Sequence, residues 1–282
     1  MIPQRNLSLL ANRLQREHGG RRIPEAVLER DYCLAWLLAE LDATPLKDLL
    51  IFKGGTALKR CYFGDYRFSE DLDFTLGRRV DFPEIRRGLD EVFGKVTTDS
   101  GINFAFENQE QAGHTNSYAF YLGYQGPLPK PNSVKGDITI EEVIVLPLEQ
   151  RPVLRAYDEF EDLPNNRTLT VHSLAEIAVE KTVALSDRAR SEPRDLYDLW
   201  FLTDGAGIEL QDLVPAIQEK LRFRGRQIAG TEENILAKET RLKALWTTRL
   251  GHQIAQLPEF EEVFRAVRRH LRQANFPKDA DG

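Results

Sequence analysis

The pattern of apolar and polar residues changes partway along the chain and divides it into two parts. The first part combines helix-like segments with short runs that alternate as strands do, and these runs end near residue 155. From Ser173 onward, apolar residues recur at intervals of three and four, which is the spacing of one helix face. Strands with interspersed helices, followed by helices alone, predict an α+β lobe joined to an all-helical lobe.

Two segments of the first part have helical spacing, and several others have the pattern of strands. The helical segments are 25–42, where we expect an amphipathic helix packed on a sheet, and 82–96. The strand-like runs are 49–52, 70–76, 102–108, 117–124 and 134–142. A chain of 282 residues is long enough for two domains, and we expect them at residues 1–160 and 161–282.

Composition and charge exclude several classes of protein. The chain has 41% hydrophobic and 29% charged residues, as globular domains do, and its longest apolar stretches are too short to span a bilayer. Residues 1–20 lack the apolar middle of a signal peptide, so we expect a cytoplasmic protein with no membrane partner. The two cysteines have no zinc-type spacing, and the net charge of −6 argues against a dedicated protein that binds DNA independently of its base sequence.

A pair of carboxylates is the first candidate site. Asp71 and Asp73 lie two residues apart on a predicted strand, so their side chains point to the same face and can share a divalent cation. Mg²⁺ prefers oxygen ligands and is commonly held by one or two carboxylates together with substrate phosphates. Because aspartates at this spacing are also common on solvated strands, the neighbouring sequence has to decide between the two interpretations.

A glycine turn precedes the two aspartates. Gly54, Gly55 and Thr56 follow a short apolar strand and open a helix-like segment. Glycines let a triphosphate approach the backbone, the helix N-terminus offers N–H donors, and the Thr56 hydroxyl is a further donor. Lys53 and Lys59 flank the turn and could add phosphate contacts. The alternative is that the turn only caps a helix while the aspartates face water.

Further charged residues could complete such a site. Asp137 is the best candidate for a third carboxylate, which would complete a two-metal site and activate an attacking hydroxyl. The alternative for Asp137 is a solvent-facing residue on an edge strand. Downstream, Lys181 could neutralise phosphate charge, and Asp195 and Asp198 share one helix face because they are three residues apart. An ordinary salt-bridged helix surface is the alternative for these charges.

Two blocks of the sequence resemble a known enzyme family. The first motif of the AbiEii/AbiGii toxin-type nucleotidyltransferases is similar to FKGGTALKRCYFGDYRFSEDLDF. The second block of the family, a Lys followed by Arg residues and an Arg-Asp-x-x-Asp helix, is similar to AEIAVEKTVALSDRARSEPRDLYDLWFL. This family includes MenT-like toxins and belongs to the polymerase-beta nucleotidyltransferase superfamily. The resemblance covers residues 45–205, and the order and spacing of the motifs make it specific.

The resemblance implies a polymerase-beta-type lobe, with a mixed sheet and helices, followed by a helical lobe that contributes residues to the cleft. It implies Mg²⁺ as the cofactor, in a two-metal site, and an NTP as the substrate. Nucleotide contacts are implied for Gly54, Gly55, Thr56, Ser69, Lys181, Arg194 and Asp195. Metal binding is implied for Asp71, Asp73 and Asp137, and catalytic roles for these three with Lys181 and Asp198.

The implied reaction is transfer of an NMP from an NTP to an acceptor hydroxyl, which we expect to be the 3′ end of a tRNA. The protein would be the toxin of a toxin–antitoxin or phage-defence (abortive infection) system, controlled by a cognate antitoxin. Two basic clusters are compatible with RNA, although each has the composition of a solvated helix face. They are Lys220, Arg222, Arg224 and Arg226, and Arg265, Arg268, Arg269 and Arg272.

Three other functions stay open. The acceptor could be a hydroxyl of a protein or a small molecule, or the chain could be a nucleotide-binding regulator without turnover. A purely structural, partner-binding protein is the third, but it would leave the glycine turn and the carboxylates unexplained. The sequence does not identify the base of the NTP, because base recognition has no fixed spacing.

Overall fold

A mixed seven-stranded sheet organises the first part of the chain in a computed structural model, which describes residues 1–109 and 116–278. The strands are β1 Leu50–Lys53, β2 Asp71–Leu76, β3 Asn103–Gln109, β4 Ser117–Gln125, β5 Asn132–Thr139, β6 Leu148–Pro152 and β7 Thr168–His172. Their order in the sheet is β3-β4-β5-β2-β1-β7-β6. β1 runs antiparallel to β2 and parallel to β7, and β2 runs parallel to β5.

Along the chain, helices precede the first strand and separate some of the others, and only helices follow β7 in the described residues. The α-helices are α1 Gln4–His18, α2 Glu25–Leu41, α3 Gly54–Ala57, α4 Phe82–Ser100, α5 Leu174–Ser186, α6 Pro193–Trp200, α7 Leu210–Phe223, α8 Thr231–Leu236, α9 Glu239–Leu250 and α10 Phe260–Ala274. Two π-helical segments, Leu58–Tyr62 and Phe201–Gly205, continue α3 and α6. The predicted α+β class is confirmed. Within the described residues, no helix is both long enough and apolar enough to cross a membrane.

The chain forms two compact units. The first contains the described residues of Met1–Glu142 together with Leu148–Val171 and Gln253–Ala255. The second contains Val143–Pro147, His172–His252 and the described residues from Gln256 onward. The first unit therefore holds the sheet with α1 to α4, and the second holds α5 to α10.

The helix α2 is buried on nearly all sides, whereas the sequence predicted an amphipathic helix with one buried face. Its carboxylates are buried with partners. Asp31 forms an ion pair with the fully buried Arg60, and Glu29 accepts a hydrogen bond from the backbone N–H of Leu128 at 2.7 Å. Buried charges are tolerated when they are paired. The apolar spacing of the sequence cannot show such pairing, so it indicated too narrow a buried face.

The sheet continues beyond residue 155, where the sequence predicted its end. β7 adds a parallel neighbour to β1, with Val171 opposite Phe52, and β6 forms the edge of the sheet next to β7. Both strands have only five residues. Their pairing partners are remote in sequence, so local alternation gives too short a signal to predict them. Pro152 ends the edge strand, which is a position where a missing N–H is tolerated.

In the second unit, a buried ion pair joins α5 to α7. α5 begins after Ser173, whose hydroxyl accepts a hydrogen bond from the backbone N–H of Glu176 at 3.2 Å. The Glu176 carboxylate pairs with the Lys220 ammonium, and both side chains are fully buried. The other Glu176 oxygen accepts from the backbone N–H groups of Val145 and Leu146. The prediction that Lys220 belongs to an exposed basic cluster is therefore wrong.

Candidate active site

Three aspartates lie on one face of the sheet, on two neighbouring strands. Asp73 on β2 is directly opposite Asp137 on β5, and Asp71 is opposite Lys135. Because side chains alternate along a strand, Asp71, Asp73 and Asp137 all point to the same face. Neighbouring strands are about 4.8 Å apart, so the side chains of Asp73 and Asp137 begin next to each other.

The residues between the aspartates fix this arrangement. Leu72, Phe74 and Ile138 are buried on the opposite face, and the Phe74 ring contacts that of Phe52 with 5.2 Å between centroids. A slip of one residue in either strand would move these apolar side chains into water and the carboxylates into the core. The hydrophobic core therefore sets which face carries the aspartates.

The glycine turn packs directly against the carboxylate face. β1 leads into α3 at Gly54, whose φ of +79° lies in the left-handed region that favours glycine. A Cβ on Gly54 would lie 2.5 Å from Asp73 Oδ2, so the carboxylate occupies space that only glycine leaves open. A Cβ on Gly55 would lie 2.5 Å from Arg67 Nη2 and 3.2 Å from Ser69 Oγ. The two glycines thus bring the turn into contact with Asp73, Arg67 and Ser69.

The Thr56 side chain ties the turn to the strand that carries the aspartates. It is buried, and its hydroxyl donates a hydrogen bond to the backbone carbonyl of Asp71, the first residue of β2. Since a hydroxyl has a single proton to donate, the donor that Thr56 offers to a ligand is its backbone N–H.

Polar neighbours surround Asp137 on the same face. Asp137 Oδ2 accepts a hydrogen bond from Ser117 Oγ at 3.2 Å. Lys53 is directly opposite Asp73 on the other side of β2, and its ammonium donates to the Thr139 hydroxyl at 3.1 Å. A positive charge therefore lies on the carboxylate face, where it offsets part of the repulsion between the aspartates.

Lys59 also flanks the turn in sequence, but it is buried inside the first unit. Its ammonium donates to the backbone carbonyls of Gly64 and Tyr66 at 3.1 and 3.0 Å and to the Tyr157 hydroxyl at 2.9 Å. It also lies 4.2 Å from the ring centroid of Phe68. Burial lowers the pKa of Lys59 to about 8. The side chain holds the loop before β2, and its predicted phosphate contact is wrong.

The aspartate face supplies oxygen donors, which are the ligands that Mg²⁺ prefers. Among residues 1–109 and 116–278, no group of three or more His, Cys, Asp or Glu side chains is arranged to hold a metal ion by itself. Asp71 and Asp73 with Asp137 opposite are therefore a partial ligand set. Mg²⁺ commonly completes such a set with substrate phosphates and water, so the donor chemistry fits this ion.

A second cluster of charges lies within the second unit, on α5, on α6 and in the loop that joins them. Lys181 Nζ is 2.8 Å from Asp195 Oδ1 and 2.7 Å from Asp198 Oδ2, and Arg190 Nε is 2.8 Å from Asp195 Oδ2. Both aspartates are buried. The second unit thus brings Lys181, Asp195 and Asp198 together, while Arg194 is half-buried in the first turn of α6.

The cations of this cluster keep a buried carboxylate charged. Burial by itself would raise the pKa of Asp195, but the charges of Lys181 and Arg190 outweigh burial and lower that pKa below its usual 3.8. At neutral pH, Lys181 is therefore held between anionic side chains, and its direction is fixed by two short contacts.

Two residues outside the sequence motifs also support these clusters. Lys238 is buried, and its ammonium donates to three backbone carbonyls within the segment 185–190, which leads into α6. Gln253 is buried and accepts a hydrogen bond from Arg67 Nη1 at 3.1 Å. Their sequence carries no signal for these roles, because a Lys or Gln outside a motif is most often exposed.

The carboxylate face has the chemistry expected of a nucleotidyltransferase, and comparison with known proteins gives the family. The model of the family described as "Nucleotidyl transferase AbiEii toxin, Type IV TA system" matches residues 36–267. The chain belongs to this family of nucleotidyltransferase toxins, and the predicted family and enzyme class are confirmed.

A solved structure of a similar toxin supports the fold. It is MenT4, a nucleotidyltransferase toxin from Mycobacterium tuberculosis H37Rv, with a TM-score of 0.66 and 21% sequence identity. The match covers 96% of this chain and 90% of that chain. The predicted nucleotidyltransferase fold with a helical C-terminal region is therefore confirmed. No curated protein matches this chain by sequence.

Proposed function

We propose that this chain is a Mg²⁺-dependent toxin that transfers an NMP from an NTP to the 3′ end of a tRNA. The observation that carries the proposal is the register of β2 and β5, with Asp73 opposite Asp137 and Asp71 on the same face. The glycine turn in contact with Asp73 adds a place for phosphates beside that face. The family supports an NTP as the substrate and implies a cognate antitoxin.

Asp71 and Asp73 would hold the Mg²⁺, with Asp137 as the third carboxylate. The bound ion would neutralise charge on the phosphates and orient them. The remaining chemistry involves the acceptor, the NTP and groups of this chain. The acceptor oxygen forms a bond to the α-phosphorus while the bond from that phosphorus to pyrophosphate breaks. Asp137 takes the proton of the acceptor hydroxyl, and the N–H groups of Gly55 and Thr56 bind the phosphates.

The charged cluster of the second unit receives the roles that the family resemblance implies. The resemblance implies that Lys181 and Arg194 neutralise the triphosphate and the leaving pyrophosphate, and that Ser69, a residue of the first unit, contacts the nucleotide. Asp195 and Asp198 orient the cations, which agrees with the short contacts that both make to Lys181. A lysine fixed in this way loses little side-chain entropy when it binds a phosphate, so it is a suitable phosphate ligand.

Exposed basic residues of the second unit support an RNA acceptor. Arg222 and Arg224 are exposed at the end of α7, and Phe223 between them is 51% exposed. An aromatic ring beside arginines suits a nucleic acid, because bases stack on the ring while the guanidinium groups bind phosphates. Arg265 and Arg272, two turns apart on α10, are also exposed.

The test uses purified protein, Mg²⁺, each α-labelled NTP in turn and total tRNA. We expect label on tRNA with the wild type, no label after chelation of the metal, and at least about a 100-fold loss in Asp71→Asn. Asp90→Asn, which changes an exposed aspartate of α4, should retain full activity. Periodate-treated tRNA, which lacks the terminal diol, should not be labelled.

Each other outcome removes part of the proposal. Label on periodate-treated tRNA would exclude the 3′ end as the acceptor, and label on protein would replace RNA by a protein hydroxyl. Binding of an NTP without transfer to any acceptor would favour a nucleotide-binding regulator. Equal activity of Asp71→Asn and Asp90→Asn would overturn the assignment of the carboxylate face.

A further inference from the structure

A short segment from late in the sequence belongs to the first unit and packs against the loop that leads into β2. Gln253–Ala255 lies in that unit although the residues around it belong to the second. The backbone N–H of Phe68 donates to the Gln253 carbonyl at 3.0 Å, and that of Arg21 donates to the Ala255 carbonyl at 3.3 Å. These bonds fix the segment next to the loop that leads into β2.

The Gln253 side chain contacts a buried arginine of this loop. Arg67 Nη1 donates to Gln253 Oε1 at 3.1 Å and to the backbone carbonyl of Phe68 at 3.2 Å. Both Arg67 and Gln253 are buried, with 4% and 2% of their surface exposed. The other end of the guanidinium, Nη2, lies 2.5 Å from the position that a Cβ on Gly55 would take. The guanidinium therefore lies between Gln253 and the turn.

We propose that Gln253 is a positioning residue of the nucleotide site, which holds the Arg67 guanidinium against Gly55. An arginine side chain has several rotatable bonds, and contact with a glycine gives no direction to its charge. The amide oxygen of Gln253 and the Phe68 carbonyl contribute to that direction, because each accepts from Nη1. The part of this proposal that concerns nucleotide affinity rests on the function proposed above.

Two consequences follow from this geometry. Without the Gln253 oxygen, a buried guanidinium N–H loses its acceptor, and the side chain moves to find another. The contact between Arg67 and Gly55 then loosens, so the backbone of the turn becomes more mobile. Because the turn is the proposed phosphate site, the affinity for NTP falls, whereas Asp71, Asp73 and Asp137 keep their register.

The test compares three variants. Gln253→Met removes the acceptor and keeps the length of the side chain, whereas Gln253→Glu keeps an oxygen for Arg67. Gln256→Met makes the same chemical change at an exposed position and is the matched control. Hydrogen exchange of the peptide that contains residues 54–57 reports the turn without any substrate. NTP titration and steady-state kinetics report the site.

We expect the backbone amide hydrogens of residues 54–57 to exchange at least about fivefold faster in Gln253→Met than in the wild type. Exchange in the rest of the sheet should be unchanged. The KM of Gln253→Met for NTP should rise about tenfold with kcat within about twofold, while Gln253→Glu and Gln256→Met resemble the wild type. Unchanged exchange at the turn in Gln253→Met would overturn the positioning role, whatever the enzyme does. Faster exchange at the turn in Gln253→Met, together with a wild type that binds no NTP, would leave the positioning role standing and remove the proposed function instead.

Should Gln253→Met not fold, Gln253→Ala and Gln253→Glu give the same comparison at lower temperature. Because glutamate restores the volume as well as the oxygen, Gln253→Leu is added, which restores most of the volume without an acceptor. Wild-type exchange at residues 54–57 in Gln253→Glu with faster exchange in Gln253→Leu supports the positioning role, and equal exchange in these two variants would overturn it.

Discussion

At the residue scale, the glycine turn packs against the carboxylate face at one close approach, between Gly54 and the Asp73 carboxylate. Gly54 has φ of +79°, and a side chain there would collide with Asp73 Oδ2. The carboxylate is itself fixed by the register of β2 with β1 and β5. Any change at Gly54 therefore acts on Asp73 directly, without first disturbing the core.

Gly54→Ala should abolish transfer activity and lower the stability of the fold. The added Cβ must displace the Asp73 carboxylate, and the left-handed backbone costs about 1 kcal/mol or more for alanine. Gly94 is the matched control, because it lies exposed in α4 and a Cβ there meets nothing within 4 Å. Gly94→Ala should be active and more stable by about 0.5–1 kcal/mol. Transfer assays and urea unfolding measure both effects, and an active Gly54→Ala would contradict the contact.

Asp195 should make the stability of the protein depend on acid pH. Its pKa in the folded protein is below the usual 3.8, since Lys181 and Arg190 outweigh burial, so its stabilising contribution is complete above that pH. The contribution is lost as pH falls through the folded pKa. Asp195→Asn should lower the free energy of unfolding by about 2 kcal/mol at pH 7. Below pH 4, this variant should lose stability less steeply than the wild type does.

Urea unfolding at a series of pH values measures this difference. Asp212→Asn, at an exposed position of α7, is the control and should follow the wild-type curve. Parallel curves for the wild type and Asp195→Asn would mean that the pKa of Asp195 is not lowered by its partners.

At the residue scale, the sequence could predict which chemistry the site carries but not all of the contacts. Asp71 and Asp73 share a face because of their spacing alone, and the glycines are adjacent in sequence. The inward direction of Lys220 depends on the remote Glu176, and that of Lys59 depends in part on the remote Tyr157. Local sequence carries no information on such partners, so Lys59 was interpreted as a possible phosphate contact and Lys220 as part of a basic cluster.

At the scale of elements, the helix α5 ends in a clasp formed by one lysine. The Lys238 ammonium, at the residue before α9, donates to the carbonyls of Leu185, Asp187 and Arg190. The last carbonyls of a helix lack partners within it, and a cation also complements the helix dipole there. The clasp fixes the segment that joins Lys181 on α5 to the start of α6.

Lys238→Met should loosen that segment and destabilise the second unit by about 3 kcal/mol, because three carbonyls lose a charged donor. Hydrogen exchange should increase in residues 185–191 before it increases in the rest of α5. Lys243→Met is the control, because Lys243 lies in α9, the helix that begins directly after Lys238, and its side chain is 61% exposed. Lys243→Met should change stability by less than about 0.5 kcal/mol. Equal exchange in the two variants would rule out the clasp.

The sequence predicted most elements of the first unit, and the reason lies in their length and local signals. α4 has an aspartate cap at Asp81, a proline in its first turn and Gly101 after its end, so its start was predicted correctly. β2, β4 and β5 alternate clearly. β7 and α1 were not predicted, because the first is short and pairs with the remote β1, and the second precedes every recognisable motif.

At the scale of the whole molecule, the net charge of −6 opposes binding to RNA unless basic residues are collected on one surface. α10 provides such a collection, since its apolar side is buried while Arg265, Arg269 and Arg272 are exposed. Part of this charge is compensated, because Arg269 pairs with Asp204 and Arg268 pairs with Glu239. Arg265 and Arg272 are seven residues apart and therefore lie on the same side of the helix.

The affinity for tRNA should depend on this surface and on salt. For the wild type, log Kd should rise linearly with log salt, because bound arginines release counterions from phosphates. Arg265→Gln with Arg272→Gln should weaken binding and reduce the slope by about 1–2. Arg16→Gln with Arg87→Gln makes the same change in net charge at exposed positions of α1 and α4 and should leave the slope unchanged. If both double variants reduce the slope equally, net charge governs the binding, and α10 is not the RNA surface.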